Sequence, residues 1–175
     1  MALRIEPFDG AIGAAVIDVD LAQPLEAEER ERLIEAWNRY SVLVFRDQQI
    51  APDEFLRYSR YFGDLEVHVL EQYLHPVHPE ILVVSNILEY GRNIGIPDAG
   101  RYWHTDLSYL DVPSRGSILY AMEIPEADGE TLGNTLWAST AAAYEALPEA
   151  TRAWVDGLQA EYSLSKRFQK LADDG

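Results

Sequence analysis

Arg101-Tyr102-Trp103-His104-Thr105-Asp106-Leu107-Ser108 sets a histidine and an aspartate two residues apart among aromatic and β-branched neighbours. Such neighbours favour a strand. Successive strand side chains point to opposite faces, which predicts Tyr102, His104 and Asp106 on one face and Trp103 and Thr105 on the other. An imidazole and a carboxylate would then aim into the same space, their α-carbons roughly 7 Å apart. On a helix the same spacing turns them about 200° apart, which serves no shared metal. One imidazole and one carboxylate on one face make two thirds of the 2-His-1-carboxylate arrangement of non-heme Fe(II) sites. The plain alternative is a surface strand with an ordinary His and Asp, and a His-x-Asp pair alone does not decide between the two.

Working outward, the 175 residues are 47% hydrophobic and 25% charged. That is enough for one domain over 1–175 with a sizeable core, and it argues against disorder. Thirty acidic residues against 14 lysines and arginines give a formal charge of −16. Such a field repels phosphate backbones and anionic lipid, so neither nucleic acid nor a membrane surface is expected as a partner. The absence of cysteine excludes disulfides and thiolate sites, leaving His, Asp and Glu to hold any metal. Met1-Ala2-Leu3-Arg4-Ile5-Glu6 lacks an apolar leader, and no run approaches 18 apolar residues. The expectation is a soluble, cytoplasmic protein.

Taken in order, 3–6 and 14–21 read as strands, the second carrying Asp18 and Asp20 at its polar positions. Two aspartates so placed could chelate a cation, but solvent-facing positions of a half-buried strand are the ordinary reading. A helix is expected over 25–39, after Pro24, with acids in its first turn and Leu33, Ile34 and Trp37 as its apolar stripe. The apolar run 41–46 suggests a strand buried on both faces. Pro52 opens a second helix, with Phe55, Leu56 and Phe62 inward and Gly63 as its stop. Residues 64–80 are a loop holding His68, His75 and His78. Strands follow at 81–86 and 117–122. Ser139 can cap a helix through Leu147, and Pro148 begins another. Without βαβ alternation, the fold class is mainly β with flanking helices, a curved antiparallel sheet of jelly-roll or distorted-barrel type.

Longer words sharpen the reading. Trp103-His104-Thr105-Asp106-Leu107-Ser108-Tyr109 is followed by Gly133-Asn134-Thr135-Leu136-Trp137-Ala138-Ser139 and by Ala141-Ala142-Ala143-Tyr144-Glu145-Ala146-Leu147-Pro148. Earlier come Val42-Leu43-Val44-Phe45-Arg46-Asp47-Gln48 and Phe62-Gly63-Asp64-Leu65. In this order they resemble the TauD/TfdA family of Fe(II)- and 2-oxoglutarate-dependent dioxygenases, over nearly the whole chain. The resemblance implies a double-stranded β-helix, His104 and Asp106 as two iron ligands, and Thr135 as a 2-oxoglutarate contact. His68, five residues after Gly63, matches a histidine that lines the substrate pocket in taurine-type members. An asparagine of the taurine enzymes, four residues before the iron histidine, is replaced here by Gly100, which speaks against taurine itself.

By the same resemblance the protein is an enzyme that hydroxylates a small organic acid with O2, converting 2-oxoglutarate to succinate and CO2. The family's second iron histidine and its 2-oxoglutarate arginine lie further along, and no histidine follows His104. The chain is therefore expected to be the N-terminal portion of such an enzyme, its jelly roll incomplete. Alternatives are a non-catalytic half-fold that binds a protein partner and a cupin-type jelly roll, and a homo-oligomer is a separate option for the chain. The half-fold is expected to carry open sheet edges and uncovered apolar surface.

Overall fold

The computed structural model describes residues 3–163. It separates into two units, Met1–Ala99 and Gly100–Gly175.

In the first unit, β1 (Arg4–Pro7), β2 (Ala14–Ile17) and β3 (Leu43–Phe45) form one sheet in that order. β1 pairs antiparallel with β2, placing Ile5 opposite Val16, and β2 pairs parallel with β3, placing Ala15 opposite Val44. A parallel step needs a crossover, and α1 (Ala27–Tyr40) supplies it. The helix starts where the Glu29 carboxylate accepts from the Glu26 N–H at 3.1 Å, tying an orphan donor of the first turn. Helix α2 (Pro52–Ser59) begins the same way, with Glu54 accepting from the Ala51 N–H at 2.6 Å and Pro52 at the first helical position.

These elements close on a core of Leu3, Val16, Leu21, Leu25, Leu33 and Tyr58, all buried. Leu33 comes from the expected stripe of α1, but its buried companion is Ala36. Trp37 lies at the edge of the core, 5.3 Å from the Phe62 ring in a T-shaped pair. Gln48 stitches the sheet to the loop after β2. Its Oε1 accepts from the Leu21 N–H at 2.9 Å, and its Nε2 donates to the Val19 and Arg46 carbonyls. At Gly13, φ is +103°, and an added Cβ would fall 2.7 Å from the Phe8 ring. Only glycine suits that turn.

Tyr58, missing from the expected inner face of α2, packs edge-on against Phe45, Tyr61 and Phe62. Burial raises its phenol pKa above the ordinary value of about 10. The folded chain thus holds that proton more tightly, so the contribution is fully present below about pH 10 and is lost as pH rises further. The urea midpoint of the first unit should fall between about pH 9 and about pH 11, and Tyr58→Phe should flatten that fall. An equal fall in both proteins would show that Tyr58 does not govern it.

Asp18 and Asp20 each take a protein partner. Asp18 accepts from Arg4 Nε at 2.7 Å, and Asp20 accepts from the Ala22 N–H at 2.9 Å, turning the chain. The run 81–86 forms no ladder. Leu82 and Val84 make isolated bridges to Leu74 and Ile96, and a two-residue hairpin follows, β4 (Leu88–Glu89) with β5 (Arg92–Asn93).

The second unit holds a short hairpin, β6 (Glu126–Ala127) with β7 (Glu130–Thr131), then α3 (Thr140–Glu145) and α4 (Glu149–Val155). Ser139 caps α3 as expected, its Oγ accepting from the Ala142 N–H at 3.0 Å. The strands expected over 101–108 and 117–122 are not formed. A strand is defined by a partner ladder, and among the described residues none lies beside either segment. Leu107, with φ at +49°, also turns the chain out of the extended region. The described residues thus carry three small sheets with helices, and the mainly-β expectation overstates their strand content. No helix among them is long and apolar enough to cross a membrane.

Candidate metal centre

His104 and Asp106 do converge, by a turn in place of a pleat. Residues 103–105 belong to no helix or strand, and the chain then turns over 106–109, closed by the Leu110 N–H on the Leu107 carbonyl at 3.1 Å. His104 Nε2 and Asp106 Oδ1 come within 3.1 Å, with both side chains about half exposed.

The outer atoms of the pair are occupied. His104 Nδ1 lies 2.7 Å from the Tyr102 carbonyl oxygen. A carbonyl only accepts, so Nδ1 is the donor and the Nε2 lone pair of a neutral ring faces the carboxylate. Asp106 Oδ2 accepts from Ser117 Oγ at 2.5 Å. An imidazole nitrogen lone pair and a carboxylate oxygen at 3.1 Å repel unless a proton or a cation sits between them.

The donor set suits a metal. Six-coordinate ions with bonds of about 2.1 Å hold neighbouring donors about 3.0 Å apart, close to the separation seen here. Metal-bound histidines commonly donate their other N–H to a carbonyl or carboxylate, and ligating carboxylates are themselves hydrogen-bonded. Both features are present. The pair supplies two donors, and among the described residues no group of three His, Asp or Glu side chains could hold a metal ion. Tyr102 and Ser117 were not visible as members of this site in the sequence, because one contributes its backbone and the other lies 11 residues away.

Thr135 is exposed, in the irregular segment 134–139 that leads into α3. His68 belongs to the first unit, where its Nδ1 accepts from the Leu70 N–H at 3.1 Å. In the neutral ring Nε2 therefore carries the proton. The His75 and His78 rings lie 5.1 Å apart, tilted by 35°, and His78 Nδ1 lies 3.7 Å from Asp53.

Residues 4–174 match the family model described as taurine catabolism dioxygenase TauD, TfdA family. The chain belongs to the TauD/TfdA family. Among its TauD/TfdA relatives, pentalenolactone F synthase of Streptomyces arenae is 32% identical over 98% of this chain and 58% of that protein. The alpha-ketoglutarate-dependent 2,4-dichlorophenoxyacetate dioxygenase of Cupriavidus pinatubonensis is 30% identical over 96% of this chain and 61% of that protein. The solved structure of AAD-2 in complex with Mn(II) and N-oxalylglycine superposes with a TM-score of 0.69 at 26% identity, over 98% of this chain and 56% of the other. The chain spans somewhat over half the length of the relatives it matches.

Proposed function

We propose that this TauD/TfdA chain carries part of the active site of an Fe(II)- and 2-oxoglutarate-dependent dioxygenase that oxidises a small organic acid. The carrying observation is the 3.1 Å approach of His104 Nε2 and Asp106 Oδ1, each with its other polar atom already bonded. Relatives named for alpha-ketoglutarate-dependent oxidation of 2,4-dichlorophenoxyacetate and of sulfate esters support the reaction class. The family match runs through both units, which supports one dioxygenase domain of double-stranded β-helix type.

His104 Nε2 and Asp106 Oδ1 would hold the iron, which when bound activates O2 with 2-oxoglutarate as the electron source. The chain's own residues orient these donors. The Tyr102 carbonyl fixes the imidazole tautomer, and Ser117 holds the far carboxylate oxygen. Thr135 is assigned to 2-oxoglutarate, and His68 to the primary substrate.

A second reading draws on the apolar side chains exposed in the second unit, Trp103, Val112, Leu119, Met122 and Leu136 among them. Exposed apolar side chains suit a protein-binding role, as in a non-catalytic half-fold, where they lie together in one patch. Succinate formation from 2-oxoglutarate with Fe(II) and O2 separates the two. The dioxygenase reading expects succinate that Asp106→Ala abolishes, and succinate formation unchanged by the substitution would sink it. Mn(II) binding that is absent, or that Asp106→Ala leaves unchanged, would favour the interaction module.

A further inference from the structure

We propose that Ser117 is a positioning residue that fixes which oxygen of Asp106 is presented to the metal. This rests on the metal reading of the His104–Asp106 pair. The Ser117 hydroxyl donates to Asp106 Oδ2 at 2.5 Å, while Oδ1 faces His104 Nε2 at 3.1 Å. The two carboxylate oxygens therefore have different tasks.

Carboxylates bind hard cations through one oxygen or through both. Binding through both would take an extra position on an ion that must also accept a chelating keto acid and O2. A hydroxyl proton directed at Oδ2 lowers that oxygen's donor strength and leaves Oδ1 as the ligand. Asp106 is about half exposed, so packing does not select its rotamer, and a directional bond from the chain must. Ser117 is brought back to Asp106 by the excursion 107–116, which turns at Leu107 (φ +49°) and contains Pro113 and Gly116. The hydrogen bond closes that excursion on the ligand, as the Tyr102 carbonyl does for the imidazole.

The test is calorimetric titration of the 175-residue chain with Mn(II), alongside the visible absorption of its Co(II) form. Ser117→Ala should weaken Mn(II) binding by about 10–100-fold and change the Co(II) band, whereas Ser117→Thr should bind within about threefold of the parent. Ser117 is exposed, and circular dichroism should show the same fold in all three proteins. Ser117→Ala binding within about twofold of the parent, or a loss that threonine does not restore, would overturn the proposal while leaving the metal reading intact. A parent chain that binds no Mn(II), or binds it equally well after Asp106→Ala, would overturn the metal reading and this proposal with it.

Discussion

Replacing His104 with alanine should lower Mn(II) affinity by more than about 100-fold, since losing a group that merely orients a ligand already costs about 10–100-fold. The substitution removes a donor outright, together with its bond to the Tyr102 carbonyl at 2.7 Å. The remaining carboxylate would hold the ion much as any surface aspartate does. The first unit, to which His104 does not belong, should keep its unfolding midpoint. Mn(II) titration by electron paramagnetic resonance, which reads the free ion, checks the first expectation, and urea unfolding checks the second. His104→Gln is the useful control, because it keeps a polar side chain but lacks an imidazole donor. It should fail nearly as badly as alanine. An affinity within a few-fold of the parent in either variant would mean that the ion, if bound, sits elsewhere.

Leu33→Ala should destabilise the first unit by about 2–5 kcal/mol, the cost of lost transfer energy plus the cavity left behind. Leu33 is 1% exposed, and its neighbours in the core come from the β1 edge, from β2, from the loop before α1 and from α2. No single element can relax into the space without disturbing the others. Against a typical total of about 5–15 kcal/mol, the loss is large enough to leave a measurable unfolded fraction. Ile34→Ala, one residue on and only half buried, should cost clearly less. Urea denaturation followed by far-ultraviolet circular dichroism provides the comparison. Equal costs at the two positions would show that the core is not arranged around Leu33.

The first sixty residues were legible because their signals are local. Pro52 with an acidic first turn announces α2, and the spacing of Leu33 announces the inward face of α1. Ser139 is similarly readable as a cap. Burial of Tyr58 was not readable, since nothing near it in sequence reports that Phe45 and Phe62 meet there. The strands expected over 81–86, 101–108 and 117–122 fail for a related reason. Their side chains favour extended backbone, but a ladder needs a partner that local composition does not supply. At the candidate metal centre the pair was singled out for an incomplete reason. Alternation along a strand was expected to align His104 and Asp106, whereas a turn at Leu107 brings their polar atoms together. Identity was legible through residue words, and geometry was not.

The tryptophans divide unevenly between the units, with optical consequences. Trp37 is the one in the first unit, half-buried beside Phe62, whereas Trp103, Trp137 and Trp154 stand exposed in the second. Emission from the native chain is therefore dominated by water-exposed indoles, and melting the Leu33 core alters only a minor, bluer component. Quenching by a neutral solute would report mainly on the second unit. Trp103 adjoins His104 in the chain, so a paramagnetic ion held there would dim its light, giving a direct view of metal occupancy without any added probe.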